Sequence, residues 1–142
     1  MIPPLFVDEN VGRRVMSVLV EHGFDLKTHD DIDLPRGVSD EAWIQAVAER
    51  GWAALTTDIK QSRKTNEWRA IQNGPLKHVV VHAKKLTAPL AVDILSEHVT
   101  ALKVVLAYLP PPFTLRLLAN NVQLRSYHRD FDEVARANPA RR

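Results

Sequence analysis

A chain of 142 residues, 45% of them apolar, is about one domain long and can bury a core, which excludes disorder as its main state. It has no cysteine, so disulfide scaffolds, thiolate zinc sites and thiol catalysis are excluded together, and a cytoplasmic setting is expected. The net charge of +2 hides a segregation: 11 acidic against 5 basic residues from Met1 to Asp58, then Glu67 alone against seven basic residues from Ile59 to Lys85. A fold that joins these blocks sets carboxylates able to hold a divalent cation beside cations able to hold phosphate. Ordinary solvated surface is the alternative reading.

The first element is a short apolar strand within Ile2–Val7, starting late because of Pro3 and Pro4, and reaching Asp8. Asn10 can cap a helix whose apolar positions Val11, Val15, Val18 and Leu19 recur at helical spacing, with Gly23 to stop it. Phe24–Thr28 reads as a second strand, and residues 29–38, with three aspartates, Pro35 and Gly37, as a loop. Ser39 is an N-cap, Asp40 and Glu41 occupy a first helical turn where the dipole favours anions, and Trp43, Ile44, Val47 and Ala48 form the buried stripe before Gly51. Trp52–Thr57 is a third strand, ending in Asp58.

Ile59–Gly74 is basic and weakly helical, with a short helix expected from about Asn66. Lys77–Ala83 is a fourth strand. Thr87 caps the longest helix, with Leu90, Ile94, Leu95, His98, Leu102, Val105 and Leu109 on its stripe, until three prolines end it. Asp93, Glu97, His98 and Lys103 interrupt this stretch, so no membrane segment is expected, and Met1–Asp8 has no secretory pattern. Phe113–Leu118 and Val122–Tyr127, joined at Asn120 and Asn121, form a terminal hairpin, and residues 138–142 are expected to fray.

Strands alternating with helices predict an α/β fold: a three-layer α/β/α sandwich with a central, mainly parallel sheet and a C-terminal β-hairpin appended at one edge, in a single domain spanning residues 1–142. In such a sheet the carboxyl ends of strands border the ligand crevice. Asp8 and Asp58 close strands one and three, and Asp40 opens a helix on the same rim. Three carboxylates in one crevice repel one another unless a cation neutralises them, which favours Mg²⁺ or Mn²⁺ bound through oxygen. Taken singly, each has a plainer role, in a helix first turn, a capping segment or a turn.

The segments FVDEN, EHGFDL, PRGVSDEAWIQAV and WAALTTD resemble the PIN-like nucleases, especially the small branch found as VapC-type toxins. The resemblance spans Leu5–Asp58 by motif and, more loosely, the order of elements beyond. It implies that Asp8, Asp40 and Asp58 are metal ligands, direct or through water, of a metal-dependent endoribonuclease acting in the cytoplasm. It also implies a cognate antitoxin as partner, and leaves a homodimer open. The family often carries a fourth acidic residue soon after the third. Glu67 is the nearest candidate here, because Ile59, Lys60, Gln61 and Ser62 offer no carboxylate.

The chemistry that such a set supports is hydrolysis of an RNA phosphodiester by a metal-activated water. Lys60, Arg63, Lys64, Arg69, Lys84 and Lys85 are the candidate RNA-binding cations. Trp68 reads as a packing residue rather than a base-stacking one. His78 and His82 lie on a strand, with rings about 13 Å apart, too far to share an ion; all six histidines read as structural. Two other functions stay in view. One is a catalytically inactive nucleic-acid-binding module of the same fold. The other is a receiver-type phospho-signalling domain, whose acidic pair, phospho-acceptor aspartate and lysine are mimicked by Asp8 and Glu9, Asp58 and Lys84, although Lys84 comes one helix–strand unit too early and Asp40 has no role.

Overall fold

A computed structural model describes residues 1–8, 11–35, 37–57, 71 and 75–126, with the backbone alone at Asp40. Along the chain run β1 (Leu5–Val7), α1 (Arg13–Glu21), β2 (Leu26–Lys27), a 3₁₀ turn (His29–Asp31), α2 (Asp40–Glu49), β3 (Ala53–Thr56), β4 (Lys77–Val81), α3 (Ala88–Tyr108), β5 (Phe113–Leu118) and β6 (Asn121–Ser126). The strands form one sheet in the order β2-β1-β3-β4-β5-β6. All neighbours are parallel except the β5–β6 pair.

Side chains alternate across the sheet and divide the core in two. Leu5, Val7, Ala53, Leu55, Val79, Val81, Leu115 and Leu117 pack with Val15 and Leu19 of α1 and with Ile94, Leu95, Leu102 and Leu106 of α3. Phe6, Ala54 and Leu76 face the other way, against Trp43, Ile44 and Val47 of α2 and against Ile71. With helices on both faces the central strands are mostly buried and largely apolar, as expected of a parallel sheet. The α/β/α sandwich with its terminal hairpin is therefore the observed fold.

Local signals set the helix ends. Helices α1 and α2 close alike: the amide of Phe24 bonds the Leu19 carbonyl and that of Gly23 the Val20 carbonyl, while Trp52 and Gly51 bond Val47 and Ala48. This double closure needs a left-handed residue after the C-cap, supplied by Gly23 at φ +89° and Gly51 at φ +72°. Ser39 Oγ accepts from the Ala42 amide and Thr87 Oγ1 from the Leu90 amide. Helix α3 stops at Leu109, before the prolines.

Several boundaries differ from the sequence expectation. The N-cap of α1 is Gly12, with no side-chain cap, and Asn10 lies outside the described residues. Strand β2 keeps only two residues, because Phe24 closes α1 and Thr28 is taken by the 3₁₀ turn. Thr28 Oγ1 accepts from the Asp30 amide while Asp31 accepts from the Thr28 amide at 2.8 Å, a capping box within the expected loop. Strand β5 pairs with β4 over five residues, Lys77–Phe113 to Val81–Leu117, so half of the hairpin belongs to the central sheet and β6 alone runs antiparallel. Asn120 makes the turn at φ +64°. The expected helix from Asn66, Tyr127 at the end of the hairpin and the expected fraying at 138–142 fall outside the described residues.

Candidate functional site

In this strand order β1 connects outward to β2 on one side while β3 leads to β4 on the other. The crevice at such a reversal lies beyond the carboxyl ends of β1 and β3, and in open parallel sheets it is where ligands bind. The register pairs Phe6 with Ala54 and Val7 with Leu55, so Asp8 and Thr56 come level, on the α2 side of the sheet. Thr56 Oγ1 donates to Asp8 Oδ2 at 2.9 Å across 48 residues of sequence. Thr56 is buried and Asp8 half-buried, so the carboxylate is held by a charge-assisted bond at the edge of solvent.

Aromatic packing fixes the neighbouring element. Phe6, two residues before Asp8, stacks on Trp43, three residues after Asp40, with centroids 5.5 Å apart and rings 22° from parallel. His29 meets the same Phe6 ring edge-on at 5.2 Å. Asp40 is the first residue of α2, directly after its Ser39 cap, and its backbone therefore stands on the rim that Asp8 occupies. Thr56 ends β3 two residues before Asp58, which lies outside the described residues, as do Glu67, Lys60, Arg63, Lys64, Arg69 and Trp68. Lys84 and Lys85 are exposed in the connection from β4 to α3, on the same rim. Among the described residues no three His, Asp or Glu side chains gather closely enough to hold a metal.

Two of the placed histidines make contacts that tie elements of the fold together. His78 is buried, its Nδ1 3.4 Å from Thr114 Oγ1, and burial pushes its pKa down to about 4, leaving a neutral ring. His98 Nε2 donates to the Leu118 carbonyl at 2.6 Å, tying α3 to the end of β5. Sequence reasoning missed Thr56: the TTD segment was read for its aspartate, and only the register shows that the first threonine touches Asp8.

The described residues form an open, mainly parallel α/β sheet with a hydrogen-bonded carboxylate at its reversal point. The chain matches the PIN like domain over residues 3–89, more than half its length, and it belongs to that family, whose members are usually nucleases. No curated protein and no solved structure matches it. The matched region contains β1 to β4, and so Asp8, Thr56, Asp40 and Asp58, whereas β5 and β6 lie beyond it. No helix among the described residues is long and apolar enough to cross a membrane.

Proposed function

We propose that the protein is a divalent-metal-dependent endoribonuclease and the toxin of a toxin–antitoxin pair, active in the cytoplasm. The observation that carries the reading is the Asp8 carboxylate, bonded by Thr56 at the sheet reversal, inside the region that matches the PIN-like family. The donor set fits a hard cation: it is all oxygen, the chain has no cysteine, and the buried His78 is engaged elsewhere. Asp8, Asp40 and Asp58 would hold Mg²⁺ or Mn²⁺. When bound, such an ion lowers the pKa of water and offsets charge building on a phosphodiester.

The protein's own contribution is positioning. Thr56 holds the Asp8 carboxylate in one orientation, and the Phe6–Trp43 stack fixes the start of α2 against β1. Lys84 and Lys85 on the rim, with Lys60, Arg63, Lys64 and Arg69, would follow the phosphate backbone of RNA, and Glu67 is the candidate fourth acid. An antitoxin that inserts a basic side chain among the carboxylates would replace part of the metal's neutralising charge and silence the site.

The test is cleavage of RNA by the purified full chain. Activity should require Mg²⁺ or Mn²⁺, vanish with EDTA and fall at least about a hundredfold in Asp8→Asn and in Asp58→Asn. Undiminished cleavage in both variants rejects the site. Expression alone should arrest growth, and Asp58→Asn or co-expression of an adjacent partner gene should relieve it. Normal growth with abundant, nuclease-active protein would reject the toxin role and leave the nuclease. Metal binding without cleavage would favour the inactive binding module.

A further inference from the structure

The rim carries a third polar side chain beside Asp8 and Thr56. Strand β2 runs parallel to β1 in the register Leu5–Leu26 and Phe6–Lys27, so the chain leaves both strands at the same end. Thr28 is still extended, and His29, two residues beyond Lys27, comes level with Asp8, two residues beyond Phe6. The His29 ring meets Phe6 edge-on at 5.2 Å, on the α2 side of the sheet where Asp8 and Thr56 also lie. Strand order then sets His29, Asp8 and Thr56 side by side at the ends of β2, β1 and β3.

The fold makes no use of either ring nitrogen of His29. Its Nδ1 is buried without a hydrogen-bond partner. Nε2 has no partner either among the described residues, and it is not buried, so it meets solvent from a half-buried ring. A buried polar atom left unpaired costs stability and calls for an explanation. An apolar ring would make the same edge contact with Phe6 at no such cost. What only histidine supplies here is the solvent-facing nitrogen, held in one direction beside Asp8.

Charge on the rim narrows what that nitrogen can meet. Lys84 and Lys85 are exposed on the β4 side of Asp8, whereas Asp30, Asp31 and Asp33 are exposed on the His29 side. The acidic flank repels phosphate and tolerates the neutral parts of a nucleotide. A hydroxyl both donates and accepts, so it pairs with Nε2 in either tautomer, whereas a phosphate oxygen only accepts and most base-edge atoms do one or the other. We infer that His29 reads the sugar of the substrate: its Nε2 bonds the ribose 2′-hydroxyl of the nucleotide lying on the β2 side of Asp8, and so selects RNA over DNA. The inference rests on the nuclease reading of the same rim, and the 2′-hydroxyl is the group by which a protein tells the two polymers apart.

The test is binding of a fluorescent single-stranded oligonucleotide by the full chain in EDTA, so that no cleavage occurs. The oligonucleotide is made in ribo and 2′-deoxyribo forms with uracil in both. The ribo form should bind about five- to tenfold tighter, the usual order for one hydrogen bond. His29→Phe should lose that preference by weakening the ribo form alone, with a urea midpoint unchanged or raised. His29→Gln, which keeps a polar group near the Nε2 position, should retain much of it. One 2′-deoxy position in the ribo form should reproduce the loss and add nothing to that of His29→Phe. Equal affinity of the unmodified chain for both forms would overturn the inference, as would a preference that survives His29→Phe. So would a His29→Phe variant that weakens both forms equally, as a base contact or a packing role requires. A chain that binds and cleaves RNA without ribose preference rejects this inference alone, whereas one that binds neither form rejects the nuclease reading with it.

Discussion

The β1–β3 rim and the β6 edge lie at separate places in one sheet and break opposite rules of burial. At the rim a buried polar side chain, Thr56, sits at a strand end and bonds a half-buried carboxylate. At the edge apolar side chains, Val122 and Leu124, stand in solvent. A buried hydroxyl is tolerated because it has a partner, and here the partner is the group whose position matters for chemistry. Exposed apolar residues gathered on one strip call for a covering surface. Rim variants should therefore change activity far more than edge variants do.

The largest expected effect tests whether the rim depends on packing beneath it. Phe6 is fully buried between β1 and α2, and Phe6→Ala should cost about 3–5 kcal/mol in urea denaturation. A loss below 1 kcal/mol would mean that the Phe6–Trp43 stack does not hold α2 in place. Next comes the comparison itself. Asp8→Asn should lower cleavage at least about a hundredfold, while Leu124→Lys should keep metal-dependent cleavage within a few-fold. Equal loss of cleavage in both would show that the two regions act as one.

Thr56→Val removes the bond to Asp8 while keeping side-chain volume. Cleavage should fall about tenfold, the usual order for losing a charged-acceptor hydrogen bond, with kcat lowered more than KM, and Thr56→Ser should restore much of it. A merely structural role would instead lower stability and leave kcat intact. An effect of another kind concerns His78, which lies in β4 between the two regions. Its folded pKa, about 4, lies below its ordinary 6.5, so the unfolded chain binds the extra proton between these values. The stability this group contributes is then full above about pH 6.5 and falls as pH drops toward 4. His78→Gln should flatten that part of the urea-midpoint profile; an unchanged slope would show that His78 is not the group responsible.

Much of this molecule is legible in the chain because the controlling interactions are local. Ser39, Thr87, Gly23, Gly51 and the three prolines mark helix ends within one turn of where they act, and the apolar periods identify strands, helices and their alternation, hence the α/β class. The placement of Asp8 at a strand end and Asp40 at a helix start follows from the same signals. Boundaries moved where one residue could serve two local motifs: Phe24 and Thr28 read as strand, but one closes α1 and the other caps a 3₁₀ turn. What no local signal carries is pairing between distant strands. The Asp8–Thr56 bond, the reversal point between β1 and β3, the parallel pairing of β5 with β4 and the place of β6 at an edge are set by strand order and register. These in turn follow from how the two helical layers share the sheet's two faces, a property of the packed whole rather than of any segment.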